Sequence, residues 1–456
     1  MPAEKAAAKA AHGPPAAPAL AGRRVMVVGL GVSGRAAARL LHRLGAQLLL
    51  ADARREAAKG LDVDGQVLIG DPAPGRLAGV ELAVASPGVS PDAPLLRALD
   101  SAGVPVIGEL ELACRFISAP IVGVTGTNGK STVTTLVGAM LKAAGHRVFV
   151  GGNLGTPLSE AAGAELDVAV VEVSSFQLER IETFRPRVAV LLNITEDHLD
   201  RHRSLEAYRR AKARLFMNQG AEDWAIVNRD DPLVWDLRSG LHARVLSFGA
   251  RPAPAPAAWS EGQRVVLDDG RTRRQLSLAA TRLVGIHASA NAMAAAGAAM
   301  LLGVPAEITQ RCLESFVGLP HRMERFCRRD GVDFVDDSKA TNVGAVVAAL
   351  AALFGPVILL AGGRDKGGSY APLCAAAKGK VRLAILFGEA RETMQQALKG
   401  GAKTLLAQDL EEAVRSAWAA ARAGDTVLLS PACSSFDQFI DYAERGRRFQ
   451  ELVASL

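Results

Sequence analysis

Residues 119–132 read APIVGVTGTNGKST. The apolar half has the length and composition of a buried strand, and the glycines, lysine and hydroxyls behind it predict a turn into a helix. That order of strand, glycine turn and helix start is the one phosphate binding requires. Backbone N–H groups and the positive helix end face the anion. The loop is nevertheless short. The usual pattern G-x-x-x-x-G-K-[ST] would carry glycine six positions before Lys130, and Val124 stands there. Gly126 and Gly129 form the cradle, Lys130 reaches the outer phosphates, and a hydroxyl of Ser131 or Thr132 suits Mg²⁺. The alternative, a plain helix start with Lys130 in solvent, leaves this arrangement without a purpose.

Working outward, the same rhythm of Val/Ile/Leu run, glycine and helical periodicity recurs on both sides. One section opens with RRVMVVGLGVSG and continues through QLLLAD to about Leu110. The middle section holds DVAVVEVSS, RVAVLLNIT, a Pro/Ala-rich connector at 250–260 and an Ala-rich helix at 288–302. The last begins near Pro320 and holds FVDDS, PVILLAGG, LAILFG and TVLLSPA. Such runs predict parallel sheets with crossover helices, whose ligands lie at the carboxyl ends of the strands.

At 456 residues the chain is long enough for two or three domains. A net charge of +6 without a long Lys/Arg block gives no support to nucleic acid as a partner. Five scattered cysteines without C-x-x-C spacing read as reduced thiols of a cytoplasmic protein. Residues 1–21 are rich in Ala and Pro and read as a disordered extension. The uncharged stretch Ala345–Gly363 is long enough to raise a membrane span, but Gly355-Pro356 divides it into a helix and a strand, so no membrane insertion is expected.

Gly29-Leu-Gly31-Val-Ser-Gly34 follows a strand as G-x-G-x-x-G, and Asp52 closes the next strand. This predicts nucleotide binding without implying NAD, since any pyrophosphate suits the same turn; the alternative is a tight strand-to-helix turn. Ala85-Ser-Pro-Gly-Val89 is a second glycine turn placed to close over the same ligand. In the middle section Glu172 ends the strand VAVVE, an oxygen ligand suited to Mg²⁺, or else a solvated strand-end carboxylate. His198 stands among Thr195, Asp197 and Asp200 just past the next strand, company that suggests a site. Then comes an anomaly: Lys212 falls on the apolar stripe Leu205, Tyr208, Leu215 and Phe216. Its stem packs and its ammonium snorkels to water, or it is desolvated and becomes a neutral amine able to take up CO₂ as a carbamate.

With these residues placed, the chain resembles the Mur ligases, ATP-dependent amide ligases of peptidoglycan precursor synthesis, from about Arg23 to its end. The resemblance rests on GTNGKST (126–132), GGNLGTP (151–157), EVSSFQLE (172–179), DHLDRH (197–202) and YRRAK (208–212). It rests further on LPHRME (319–324), DDSKATN (336–342), GGRDKG (362–367) and LSPACSSFDQF (429–439). It implies an α/β chain of three domains: a Rossmann-like UDP-binding unit (22–110), a central P-loop ATPase-like parallel sheet (111–318) and a C-terminal Rossmann-like unit (319–456). The implied reaction joins D-glutamate to UDP-N-acetylmuramoyl-L-alanine through an acyl phosphate, in a cytoplasmic monomer.

Carried over by position, the resemblance implies that Gly31, Val32, Ser33, Ala53, Arg54 and Ser86 hold the UDP part, with Asn153 at the muramoyl peptide. Gly126, Thr127, Asn128, Gly129, Lys130, Ser131 and Thr132 would bind ATP, with Asn291 near the nucleotide and Arg322 aimed at phosphate. Two Mg²⁺ sites are implied, one on Ser131 and Glu172, the other on His198 and Lys212 as its carbamate. Asp337 and Lys339 would complete the ATP site, while Thr341, Lys366, Ser435, Phe436 and Tyr442 hold D-glutamate. Two positions depart from the family: Ala288 stands where relatives commonly have Asn in H-N-x-x-N, and Tyr442 stands where phenylalanine is expected.

The rival classes make different demands. A P-loop kinase or NTPase turns over ATP without an amino acid, and the shortened loop and buried-stripe lysine argue against it. A nicotinamide dehydrogenase rests on GLGVSG alone. A folylpolyglutamate-type ligase is nearer, and the N-terminal UDP-type section speaks against it.

Overall fold

The computed structural model describes residues 19–70, 74–153, 155–281 and 288–456. Most of the 1–21 extension and His287 of the H-N-x-x-N comparison therefore lie outside the described residues.

Among the described residues the chain forms three sheets. The first is all parallel, β1 (Arg24–Val28), β2 (Gln47–Asp52), β3 (Gln66–Ile69), β4 (Leu82–Ala85) and β5 (Val106–Gly108), in the order 3-2-1-4-5. The strands VMVV, LLLA and LAVA are buried because helices and loops cover both faces. The order reverses at β1, so the turns after β1 and β4 diverge and leave a crevice at the strands' carboxyl ends.

The central sheet has nine strands: β6 (Ile121–Thr125), β7 (Val148–Gly152), β8 (Val168–Glu172), β9 (Val188–Leu191), β10 (Trp224–Asn228), β11 (Arg244–Gly249), β12 (Ala257–Glu261), β13 (Arg264–Asp268) and β14 (Arg273–Ser277). Their order is 14-13-12-11-10-9-6-8-7. β6 therefore lies between β8 and β9, and its loop faces the tips of both. One face packs against the helices Lys130–Ala143 and Ala288–Leu301. The Pro/Ala-rich connector is shorter than its composition suggests. Its last residues, AAWS, enter β12, which pairs parallel with β11 and antiparallel with β13.

The third sheet is β15 (Glu324–Arg329), β16 (Val332–Asp336), β17 (Val357–Gly362), β18 (Val381–Phe387), β19 (Thr404–Leu406) and β20 (Thr426–Ala432), ordered 15-16-20-17-18-19. Only β15 runs antiparallel to its neighbour. The uncharged stretch resolves into the helix Val343–Ala352 and strand β17, and no described helix is long and apolar enough to cross a membrane.

Two junctions join these sheets. The helix Glu109–Cys114 spans the expected division at 110/111, and its fully buried Glu111 accepts from the backbone N–H groups of Glu182, Thr183 and Phe184 at 2.8–3.0 Å. Those three bonds fasten the first sheet's exit to the central one. At the second junction His321 (φ 60°) and Met323 (φ 46°) both occupy the left-handed region on either side of Arg322. Such conformations cost about 1–3 kcal/mol each, so surrounding bonds must hold them. His321 Nδ1 lies 2.7 Å from Asp336 Oδ2, and its N–H donates to Glu324 at 2.8 Å.

Candidate functional site

At the N-terminal crevice, Gly31, Val32, Ser33, Ala53, Arg54 and Ser86 line a single cavity of about 600 Å³. Gly34 is required there: a side chain at this position would collide with the Gly29 carbonyl, to which the Ser86 hydroxyl also donates at 2.6 Å. Asp52 lines the same cavity and ties its two turns together. One carboxylate oxygen accepts from Leu30 N at 2.7 Å and the other from Arg54 N at 2.9 Å, so the acid braces both turns. Asn153 stands apart from this cavity, donating to Glu172 at 2.8 Å.

The phosphate loop leaves β6 at Gly126 (φ 154°) and enters its helix through Gly129 (φ 90°). A methyl group on Gly129 would strike Asn291 Oδ1, which puts Asn291 against the loop. The loop's shape is held from β9: Thr127 N donates to Asn193 O at 2.9 Å, and Asn128 N donates to Asn193 Oδ1 at 2.8 Å. Thr195 N donates to the Thr127 hydroxyl at 3.0 Å. Lys130 does not point to solvent. Its ammonium folds over the loop and donates to the carbonyls of Gly126 (3.0 Å) and Thr127 (2.8 Å). Burial lowers its pKa, partly opposed by Glu172 and Asp197, while Arg322 and Lys339 add to the lowering.

Lys212 is 1% exposed, and its ammonium donates to Gly126 O at 2.8 Å. It therefore reaches the loop rather than water, which excludes snorkelling. Burial, with Lys130 adding to it, holds its pKa well below the usual lysine value. His198, at φ 55°, stacks edge-on to Phe176 at 4.8 Å. Burial lowers its pKa to about 3 despite Asp197 beside it, so the ring is neutral and one nitrogen is open to a ligand. Glu172 is buried; Asn153 holds one of its oxygens and the other, Oε2, has no hydrogen-bond partner. An unpartnered buried carboxylate oxygen is costly, and a hard cation relieves that cost. The unpartnered Oε2 of Glu172, with the Ser131 hydroxyl on the loop, therefore suits Mg²⁺, while neutral His198 offers a separate nitrogen donor.

The last domain meets this loop from β16, β17 and the helix Val343–Ala352. Asn342 caps that helix through Ala345 N at 2.8 Å. Its amide also donates to Asn128 Oδ1 (3.3 Å) and Asp197 Oδ2 (3.1 Å). Lys366 donates to Asp197 Oδ1 at 3.2 Å and lies 3.4 Å from the Thr341 hydroxyl. Between these groups is a cavity of about 220 Å³ lined by Thr341, Lys366 and Asp197. Burial would raise the Asp197 carboxyl, but Lys366, His198 and Lys130 together hold it below its usual value.

Ser435, Phe436 and Tyr442 do not line that cavity. Ser435 is 2% exposed, Phe436 is 63% exposed, and the Tyr442 hydroxyl accepts from Lys339 at 2.9 Å. Asp337 is buried between the Ser430 hydroxyl (2.8 Å) and Met323 N (3.2 Å). Burial pushes its carboxyl up to about 7, against the pull of Arg322, whose Nε is itself without a partner. Arg445 is fully buried below this region and donates to the carbonyls of Ser338 and Cys433 at 2.8 and 3.3 Å.

Two contributors lie outside the expected set: Asn193 shapes the loop and Asn342 bridges the two domains. Asp197, expected only as a neighbour of His198, lines the cavity beside Thr341 and Lys366. Asn193 follows β9 at its carboxyl end, which is the signal that could have found it. Asn342 stands directly before an apolar helical run, as an N-cap does.

Family models match along the chain: a Mur ligase MurD-like N-terminal domain at 23–108, a Mur ligase middle domain at 124–299 and a Mur ligase glutamate ligase domain at 321–433. The UDP-N-acetylmuramoylalanine–D-glutamate ligase of Trichlorobacter lovleyi is 46% identical over 445 residues, covering 95% of this chain and 99% of the relative. The ligase of the same name from Myxococcus xanthus is 45% identical over 452 residues, covering 96% and 99%. Among solved structures, a pseudomurein peptide ligase type C from Methanothermus fervidus shares the fold with a TM-score of 0.62 at 20% identity, covering 95% of this chain and 99% of that one. MurF ligase from Thermotoga maritima, in complex with ADP, does so with a TM-score of 0.57 at 19% identity, covering 96% and 95%.

Proposed function

The chain belongs to the Mur ligase family, and from that premise we propose that it joins D-glutamate to UDP-N-acetylmuramoyl-L-alanine at the expense of ATP, releasing ADP and phosphate in peptidoglycan precursor synthesis. The observation that carries this reading is the meeting of phosphate loop and acceptor cavity across Asp197, in a chain whose near-full-length relatives are named for that reaction.

The division of labour follows the three sheets. Residues 22–110 bind the UDP part in the N-terminal crevice, 111–318 carry ATP and the substrate carboxylate, and 319–456 supply the amino acid. A carboxylate approaching a γ-phosphate is anion against anion, so the site must bring positive charge. Lys130, Arg322 and Lys339 provide it from this chain. The substrate carboxylate attacks the γ-phosphorus and ADP leaves; D-glutamate, its ammonium having given one proton to water, attacks the acyl carbon through the neutral amine, and phosphate leaves with the second proton. Thr341 and Lys366 receive one glutamate carboxylate, and closure of the last domain excludes water from the acyl phosphate.

Glu172 and Ser131 would hold one Mg²⁺, and His198 with carbamylated Lys212 a second; the metal supplies charge neutralisation on phosphate oxygens. A carbamate suits Lys212 for two reasons. A neutral amine is the form that adds CO₂, and the product keeps one N–H for the Gly126 carbonyl. It also turns the repulsion between Lys130 and Lys212 into attraction. We take the enzyme to be a cytoplasmic monomer.

Phosphate release tests the reading. It is expected with UDP-N-acetylmuramoyl-L-alanine, ATP and D-glutamate together, and absent when either acid substrate is omitted or L-glutamate replaces D-glutamate. Absence of release with D-glutamate overturns it.

A further inference from the structure

An amino acid brings two opposite charges to its site, and the acceptor cavity offers both partners. Lys366 and the Thr341 hydroxyl suit a carboxylate. An ammonium needs an acid, and three line the cavity: Glu196, Asp197 and Asp365. Glu196 and Asp365 are exposed, and Asp365 already accepts from Gly367 N and the Tyr370 hydroxyl at 3.0 Å each. Asp197 is buried at 8% exposure and lies on the side where Asn342 touches the phosphate loop, where the acyl group must sit.

The valence of Asp197 leaves room for a ligand. Oδ1 accepts from Lys366 Nζ (3.2 Å) and His198 N (2.9 Å), while Oδ2 accepts from Asn342 at 3.1 Å and lies 3.6 Å from His198 Nε2, beyond hydrogen-bond reach. A carboxylate takes about four such bonds, so one position on Oδ2 remains. Lys366 is paired with Asp197 while no amino acid is present. A zwitterion inserted between them converts that pair into an alternating ring: lysine, carboxylate, ammonium, aspartate. Each charge then keeps an opposite neighbour through charge-assisted bonds.

Resting on the reading above, we propose that Asp197 receives the α-ammonium group of the incoming amino acid, and so is the residue by which the cavity selects an amine acceptor over a plain dicarboxylate. It orients the nitrogen toward the phosphate-loop side and contributes little to carboxylate recognition.

The test compares D-glutamate as substrate with glutarate, which lacks the amine, as competitive inhibitor, using the full chain. Asp197→Asn is expected to raise KM for D-glutamate by roughly 10- to 100-fold while the inhibition constant of glutarate stays within about threefold. Asn342→Ser keeps a capping oxygen but cannot span to Asp197. It breaks the same inter-domain bond and is expected to leave the preference for D-glutamate over glutarate unchanged. Equal losses for D-glutamate and glutarate in Asp197→Asn would make Asp197 an inter-domain tie and overturn the proposal, as would an unchanged KM for D-glutamate. If the unsubstituted protein itself releases no phosphate with D-glutamate, it is the functional reading that fails, and the two failures are told apart.

Discussion

Asp337 offers a prediction in which stability and function pull apart. Its carboxyl is buried between Ser430 and Met323 N, and burial raises its pKa from 3.8 to about 7, more than Arg322 beside it can offset. The folded protein therefore keeps a proton that the unfolded chain surrenders above pH 3.8. Stability must fall as pH rises from about 4 to about 7, then level off once both states are ionised. At 1.36 kcal/mol per unit the shift corresponds to about 4 kcal/mol. Asp337→Asn copies the neutral form, because the Ser430 hydroxyl can turn to accept where it had donated. The variant should match the ligand-free protein near pH 4 and exceed it by roughly 3–5 kcal/mol near pH 8, while losing ligase activity. Urea unfolding across this range suits the measurement. Hydrogen-exchange mass spectrometry on peptides covering 332–336 and 426–432 isolates the last domain's transition from the others. Parallel pH dependences for the two proteins would refute the reasoning.

Two further outcomes test the central site. Lys212→Ala should abolish phosphate release, and short carboxylates such as formate or acetate should partly restore it; full activity in the variant would end the carbamate proposal. Gly129→Ala should weaken ATP binding at least roughly tenfold by calorimetry, because a side chain at φ 90° both strains the turn and meets Asn291; unchanged affinity would mean that the loop does not hold the nucleotide.

Local chemistry made much of this molecule legible. The parallel strands announce themselves as short runs of Val, Ile and Leu ending in glycine, and the loop at 126–132 sits where such a run meets a helix. The misses have physical reasons. β15, ERFCRR, is an edge strand whose residues are half or fully exposed, so it carries no run of buried side chains. β12 to β14 are masked by the Pro/Ala-rich approach, although Asp269-Gly270 between RVVLD and RRQLS is a hairpin signal. Lys212 was legible as an anomaly because its helix is otherwise regular, and its contact with Gly126 removes the snorkelling alternative that periodicity left open. Asp197, Asn193 and Asn342 were harder. Each acts across a sequence separation of 65 residues or more, and a polar residue at a strand tip looks the same whether it faces solvent or a neighbouring domain.

The left-handed pair around Arg322 carries a consequence for how nucleotide and domain orientation are linked. With His321 and Met323 both locked, the intervening backbone has little freedom of its own, so the root of the Arg322 side chain turns with the last domain. On the proposed role, phosphate contact and inter-domain angle are then one coordinate rather than two. A ligand that captures Arg322 selects an orientation of the whole C-terminal sheet, and a substitution that loosens His321 from Asp336 would uncouple the two while leaving every phosphate contact in place.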